Sequence, residues 1–450
     1  MMSATLPFPA RFRHPAQLVV AAFGLAVAAG ATLLSLPIAT AEGEATDTVV
    51  ALFTAASAVC VTGLAVVDTA SHWSTFGEVV IAGLSQVGGL GIMTLATLVT
   101  LHVSGRLGLR APIAGQTETK TLSMSDVRAL VRKVLLFSLV CEAVAAVLLT
   151  GRFVIGYGES LGRAAYLGAF HAISAFSSSG FVLWPDNFTR FVADPWICLT
   201  IATAAIVGGL GFPVVFELVR SWRHPSGWTV LTRITIAVTV TLLLFGTLVF
   251  LATEWRNPRT FGPLDVGGKL LAAFFTSVMP RSAGFNVVDI GQMYPSSWLA
   301  TDLLMFIGGG SAGTAGGIKV TTIGMLAFIV WAELRGESRV NIGHRRLPET
   351  TQRQLVTITM MGVALVTVST YALLALTPHR LDQVLFEVIS AFGTAGLSTG
   401  ITPAVGTAGH LLLTVLMFIG RIGPLTLGSA LALNRRARHY ELPEERVIVG

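Results

Sequence analysis

Charge is what this 450-residue sequence has least of. Asp, Glu, Lys and Arg together supply 12% of its residues, against 53% that are hydrophobic. So little charge does not suit the surface of a soluble domain, and a mean hydropathy of +0.73 points to a chain that crosses a membrane many times. Cysteine is scarce as well. Cys60, Cys141 and Cys198 all stand in apolar sequence, which excludes a disulfide framework and a metal-ligand cluster. The sequence has no G-x-x-x-x-G-K-[ST] run. GGIKVTT (316–322) has the lysine without the spacing, so an ATP-driven pump within the chain is not expected. The first apolar segment is too long for a signal peptide and carries no small-residue cleavage pattern, so it is read as a span.

What is present is apolar sequence in long blocks. Residues 17–39, 79–101, 129–150, 196–219, 230–252, 297–332, 354–376 and 410–433 are eight stretches, each long enough for a hydrocarbon core. Most lysines and arginines fall in the N-terminal tail, in 103–133, 220–233 and 334–353, and in the C-terminal tail. By the positive-inside rule both termini face the cytoplasm. The net charge of +6 therefore reports topology, and no nucleic-acid partner is expected. Asp68, Asp186, Asp265, Asp289, Asp302 and Asp382 fall on the outward side, where they could enrich cations near an entrance.

The blocks contain an internal repeat. Between successive spans lie FTAASAVCVTGL (53–64), HAISAFSSSGF (171–181), FTSVMPRSAGF (275–285) and EVISAFGTAGL (387–397). Each is too short to span a bilayer and has the length of a re-entrant helix. Their final glycines, Gly63, Gly180, Gly284 and Gly396, align. The span that follows each one carries a second small-residue signature: GGLG (88–91), GGLG (208–211), GGGSAGTAGGIK (308–319) and GRIG (420–423). The unit is helix, re-entrant helix, extended turn, helix, four times over.

Non-helical backbone at membrane depth is tolerated only where protein or a water-filled cavity surrounds it. Four such turns can converge on a pseudo-fourfold axis and aim their carbonyls at a dehydrating ion. The re-entrant helices would point their negative dipole ends the same way. Both effects favour a cation. The turns read Cys60-Val61-Thr62-Gly63, Ser177-Ser178-Ser179-Gly180, Arg281-Ser282-Ala283-Gly284 and Gly393-Thr394-Ala395-Gly396. They hold no ring of carboxylates, so selection by backbone carbonyls is the fitting chemistry. Glycine at the aligned position removes the Cβ and admits the backbone angles that turn a carbonyl inward.

These four turns, RSAGFNVVD (281–289) and GGGSAGTAGGIKVTT (308–322) resemble the Trk/Ktr/HKT superfamily of potassium transporters, and within it the KtrB-type membrane subunits. The likeness runs from residue 15 to residue 435, and the eight-span length separates the chain from the longer TrkH-type subunits. The resemblance implies that the four turns are a potassium selectivity filter holding K+ by the carbonyls of the residues just named. Sodium-favouring plant relatives carry serine in the first turn, where this chain has Gly63. It also implies a homodimer with one pore per subunit, seated on a cytosolic octameric ring of KtrA-type nucleotide-binding subunits. No cofactor is expected in this chain. Nucleotide belongs to the partner, and the resemblance admits Na+ as an activator.

Between Ile307 and Gly317 the sixth stretch holds Gly308, Gly309, Gly310, Ser311, Ala312, Gly313, Thr314, Ala315, Gly316 and Gly317. Glycine costs a helix up to about 1 kcal/mol relative to alanine, so this run should unwind inside the membrane. The resemblance makes it an intramembrane loop that gates conduction under the filter. Arg421 lies within the last span and should face protein or water, since exposure to lipid is costly. The resemblance places it below the filter, pacing cation passage. Lys319 follows the loop and is expected at its inner edge. Arg281 should brace the third turn from behind, because a cation is wrong for binding a cation. Asn286 either bonds the turn backbone or caps the next turn. His171 has no partner set for a metal. Trp73, Trp184, Trp255 and Trp298 suit an outer interfacial belt.

The expectation is therefore an all-α polytopic membrane protein with eight transmembrane helices, in which four helix–pore helix–helix repeats surround a central pore. The layout has cytoplasmic tails at 1–14 and 434–450, pore repeats at 15–102, 126–220, 229–333 and 351–433, and the gating loop at 307–317. The expected function is potassium uptake across a bacterial inner membrane, with no enzymatic activity. An alternating-access, cation-coupled secondary transporter is the alternative, since broken helices also build transport sites.

Overall fold

Long runs of Leu, Val, Ala and Ile form helices here, and glycine turns and polar caps set where they stop. The computed structural model describes residues 15–106, 124–281, 283–337, 339–342 and 345–423. Ser282 and both expected tails lie outside them. The first group of helices is α1 (Pro15–Leu34), α2 (Thr48–Val59), the single turn α3 (Thr69–His72) and α4 (Thr75–Arg106). The second is α5 (Met124–Tyr157), α6 (Leu161–Phe176), α7 (Pro195–Leu210) and α8 (Phe212–Ser221). The third is α9 (Val230–Glu254), α10 (Val266–Val278), α11 (Pro295–Phe306) and α12 (Val320–Leu334). A two-residue hairpin, β1 (Asn341–Ile342) with β2 (Arg345–Arg346), then precedes α13 (Glu349–Leu376), α14 (Leu381–Gly393) and α15 (Gly406–Ile422).

Side-chain caps start several helices by accepting their first free N–H groups. Ser160 caps α6, Asp194 caps α7, Thr229 caps α9 and Asp265 caps α10. Each short helix leans on the long helix before it: α2 on α1, α6 on α5, α10 on α9, α14 on α13. The helix after each turn also reaches the short helix of the next group. Thus α4 packs on α6, α7 on α10, α11 on α14, and α15 returns to α2. The arrangement closes on itself around the four short helices. Their inner side chains Phe53, Phe275 and Phe386 are fully buried.

Among the described residues Val131–Tyr157, Val230–Glu254 and Glu349–Leu376 are each long and apolar enough to cross a bilayer. Their outer faces expose Val147, Leu248 and Tyr371, as lipid rather than water would permit.

The stretch 196–219, expected as one span, is broken. α7 and α8 meet at an angle of 102°, with Gly211 between them at φ +88°. A Cβ on Gly211 would lie 2.7 Å from the Ser311 carbonyl oxygen and 2.8 Å from Ala312 C. The chain entering from the third group therefore occupies the space a straight helix would need, and Pro213 in the first turn of α8 restarts the helix where no N–H is required. The last stretch likewise stops early, at Ile422, with Gly423 at φ +90°. Residues 424–433 of that expected span lie outside the described residues.

Candidate functional site

The turns that end the short helices adopt an unusual backbone. Gly63, Gly180, Gly284 and Gly396 have φ of 89°, 73°, 69° and 83°, and two residues earlier Val61, Ser178 and Thr394 have φ of 55°, 61° and 48°. Thr62, Ser179 and Ala395 between them do not. Alternation of hand turns successive peptide groups the same way, where an ordinary strand would alternate them. A β-branched residue such as Val61 at positive φ is strained by about 1–3 kcal/mol and persists only where its surroundings over-determine it.

Those surroundings are visible. The N–H groups of Thr62, Ser179 and Ala395 donate to the carbonyls of Ser57, Ser174 and Ser390 at 2.7, 2.8 and 2.8 Å. Ser57 Oγ accepts from the Gly63 N–H at 3.0 Å and donates to the Leu64 carbonyl at 2.8 Å. Ser174 Oγ donates to the Phe181 carbonyl at 2.8 Å. The third turn differs. It passes through a 3-10 turn, Met279–Arg281, and Ala283 N–H donates to Met279 O at 3.0 Å.

The four glycines come together in a closed ring. A Cβ on Gly63 would lie 2.4 Å from Ser179 O and 3.0 Å from Gly180 Cα. One on Gly180 would lie 3.0 Å from both Ala283 O and Gly284 Cα. From Gly284 the corresponding neighbours are Ala395 O at 3.1 Å and Gly396 Cα at 3.4 Å, and from Gly396 they are Thr62 O at 2.0 Å and Gly63 Cα at 3.2 Å. Each turn thus abuts the next, and the fourth abuts the first. A Cβ would collide outright at Gly63 and Gly396 and sit tightly at Gly180 and Gly284, and the positive φ strains a side chain at all four. On one side of the ring a cleft of about 270 Å³ is lined by Gly63, Gly180, Val66, Asp68, Trp184 and Pro403 among others.

A second set of glycines seats the helices behind the turns. A Cβ on Gly88 would lie 1.9 Å from Val59 O, on Gly208 2.0 Å from Phe176 O, and on Gly420 1.9 Å from Phe392 O. These carbonyls close the ends of α2, α6 and α14. In the third group Gly308 instead faces Gly316 O, 1.8 Å from its would-be Cβ, because here the helix is replaced by a loop.

That loop links α11 to α12 and is mostly buried. Its ends pair, with Gly308 N–H donating to Ile318 O at 2.9 Å and Val320 N–H to Gly309 O at 3.1 Å. Its middle is fastened to the second group. Gly310 N–H reaches Gly209 O at 2.7 Å and Thr314 N–H reaches Gly208 O at 3.0 Å. Thr314 Oγ1 donates to Phe176 O at 3.1 Å and lies 2.8 Å from Ser178 Oγ. A Cβ on Gly316 would meet Thr394 Oγ1 at 2.1 Å. The loop therefore presses on the second and fourth turns, and its irregular backbone is satisfied by protein, as membrane depth demands.

The model of the TrkH family, described as cation transport protein, matches residues 3–436. The chain belongs to the TrkH family of cation transport proteins. It is 40% identical to the Ktr system potassium uptake protein B of Bacillus subtilis (strain 168), over 97% of each chain. Identity to the protein of the same name from Vibrio alginolyticus is 39%, over 93% of this chain and 91% of the other. The crystal structure of the potassium transporter TrkH from Vibrio parahaemolyticus shares the fold at a TM-score of 0.75 and 19% identity, covering 94% of this chain and 86% of that one.

In this TrkH-family chain Arg421 is 4% exposed and does not snorkel to an interface. Its Nη1 donates to the Thr314 carbonyl and its Nη2 to Gly88 O at 2.8 Å, joining the loop to α4. Lys319 Nζ donates to Ala315 O, so both cations end on or beside the loop. Arg281 points away from the ring, its guanidinium donating to Thr239 O of α9 at 3.1 Å. Asn286 caps locally, Nδ2 donating to Val288 O at 2.9 Å. His171 lies in the second half of α6. It is held between Leu167 O at 2.7 Å and the Leu183 N–H at 3.2 Å.

Several expectations are corrected. Asp302 is buried in α11 rather than placed at an entrance. The other aspartates are not overturned: Asp68 caps α3 and lines the cleft beside Gly63 and Gly180, Asp265 and Asp289 cap helices, and Asp382 pairs with Arg380. Asp186 pairs with Arg190 at 2.6 Å, whose hydrogen bonds hold the carboxyl below its ordinary range. Trp73 and Trp298 are buried packing residues, not a belt. Trp298 Nε1 donates to Ile290 O at 2.7 Å.

Sequence reasoning missed the bracing serines, and a signal for them was present. A serine stands six residues before the turn glycine at Ser57, Ser174 and Ser390, and one place earlier at Ser277 in the third turn. It also missed Glu387 of α14, which accepts from Ser398 Oγ, from the Thr399 N–H at 3.1 Å and from Thr402 Oγ1 at 2.9 Å. Glu387 thereby fixes the chain that leaves the fourth turn.

Proposed function

We propose that this chain is the potassium-conducting membrane subunit of a Ktr-type uptake system. The observation that carries this reading is the closed ring of Gly63, Gly180, Gly284 and Gly396, each at positive φ and each against the next turn. In this reading K+ sheds water at the ring and is held by carbonyls of residues 60–63, 177–180, 281–284 and 393–396, including Ser282. Carbonyl dipoles replace the hydration shell, and the number and spacing of those dipoles favour K+ over Na+. The ends of α2, α6, α10 and α14 add the negative ends of their dipoles.

Below the ring, residues 308–317 form the gate. The loop presses on the second and fourth turns and is clasped through Thr314. Arg421 and Lys319 add positive charge to the path, which raises the barrier for a cation while the loop is closed. Opening withdraws the loop and its clasp together. The sequence's four repeats, eight spans and cytoplasmic termini complete this account. So do a homodimer and a cytosolic nucleotide-binding ring that biases the loop. The names borne by the relatives at 40% and 39% identity support the choice of potassium.

Alternating access would build one site between two halves. Four turns meeting at one ring support a single axial path instead. Purified protein in liposomes should carry K+ down its gradient and Na+ far less. Equal flux of the two ions, or flux that requires a countersubstrate, would reject the reading.

A further inference from the structure

The second turn is tied to a buried acid that the proposed filter does not use. Glu142 on α5 is 5% exposed, and none of the ion pairs among the described residues involves it. An ionisable side chain at this depth in a span is costly and calls for a functional explanation. Its partner is Gln86 of α4, whose Nε2 lies 2.9 Å from both carboxylate oxygens. The other end of the same amide accepts from Ser177 Oγ at 3.3 Å. Gly89, one turn further along α4, brings that helix close. A Cβ there would lie 2.9 Å from Ser177 Oγ.

The polarity of this chain of bonds is fixed at one end. In its ionised form Glu142 only accepts, so Gln86 then offers it the NH₂ group and turns its carbonyl toward Ser177. The serine hydroxyl is then drawn outward, away from the ring. Ser177 is the first residue of the second turn, three before Gly180. The residues at that place in the other turns are Cys60, Arg281 and Gly393. Arg281 is likewise held by the long helix of its own group, through Thr239. The second turn obtains the same outward hold from a small serine through an amide and an acid.

We infer that Gln86 and Glu142 are positioning residues for selectivity, fixing the second turn through the Ser177 hydroxyl. The inference rests on the filter reading above. Losing the neutral Ser177–Gln86 hydrogen bond should lower the K+/Na+ permeability ratio about two- to tenfold. Neither residue touches the ion in this account. Their loss is therefore read as a change in discrimination per folded molecule, since leaving buried Glu142 without its partner also costs stability.

The test measures reversal potentials in K+ and Na+ for liposomes that hold equal amounts of folded protein. Gln86→Leu should lower the ratio, and Glu142→Gln, which keeps the shape and loses the charge, should lower it less. Adding Ser177→Ala to Gln86→Leu should produce no further fall, because both act through one hydroxyl. Gly180→Ala serves as the reference for the ring itself. If Gly180→Ala lowers the ratio while Gln86→Leu and Glu142→Gln leave it at the parent value, the positioning role is wrong and the filter reading stands. If the Gln86 and Ser177 effects simply add, the relay is also wrong. If Gly180→Ala too leaves the ratio unchanged, the filter reading has failed and this inference falls with it.

Discussion

Replacing Gly63 with serine perturbs the ring in two separable ways. The backbone at φ +89° strains any L side chain by about 1–2 kcal/mol. The new Cβ also lands 2.4 Å from the Ser179 carbonyl oxygen of the neighbouring turn. To reach an ordinary C···O separation of about 3.3 Å, that carbonyl must retreat by about 1 Å. One of the groups proposed to hold the ion is thereby displaced while the others stay. A tenfold fall in the K+/Na+ ratio corresponds to about 1.4 kcal/mol of lost discrimination, well within what a displaced carbonyl can cost. Gly400→Ser is the matched control. Gly400 has φ +96° with nothing within 4 Å of its would-be Cβ, so it meets the strain without the collision. Uptake and reversal potentials in each ion, normalised to folded protein, should show a lower ratio for Gly63→Ser and the parent ratio for Gly400→Ser. An unchanged ratio for Gly63→Ser, or the same fall in both variants, would refute the reasoning.

Deleting Gly310–Gly317 should raise basal K+ flux in liposomes and weaken control by a cytosolic partner. Flux at or below the parent level with control intact would remove the gate assignment. Thr314→Val keeps the shape of the residue that clasps the second turn but loses its hydroxyl bonds to Phe176 O and Ser178. At about 0.5–1.5 kcal/mol per bond, the open fraction should rise severalfold, and single-channel or bulk flux would read it. Arg421→Gln should raise maximal transport more than it changes selectivity, with Arg421→Lys nearer the parent because it keeps the charge. Normal flux per folded molecule in both variants would reduce Arg421 to a strut between Thr314 and Gly88.

The turns were legible because their geometry needs glycine. A positive φ writes itself into the sequence, and so does a six-glycine loop that cannot stay helical. The strained Val61, Ser178 and Thr394 were not legible, since ordinary residues hold those angles only under the bonds of Ser57, Ser174 and Ser390. Nor did the motif GGLG decide its own fate. At 88–91 it continues as helix α4, whereas at 208–211 it ends in a bend of 102°. The difference lies in Ser311 and Ala312, a hundred residues downstream, which pack where Gly211 has no side chain. Long-range tethers such as Arg281 to Thr239 and Ser177 to Gln86 leave no local pattern, so only the folded chain reveals them. Asp302 was misread for the same reason. Its place along the chain suggested an outward face, but packing of α11 against α14 buries it.

The central claim is that one dehydrated ion sits where the four turns meet. Anomalous scattering or difference density along that axis tests it most directly, with crystals or particles prepared in K+, in Rb+ as a heavier analogue, and in Na+. The account predicts a peak inside the ring of Gly63, Gly180, Gly284 and Gly396 in K+ and Rb+, within contact of the turn carbonyls and lost or displaced in Na+. An empty ring in K+, with the ion bound at another break in the helices, would contradict it.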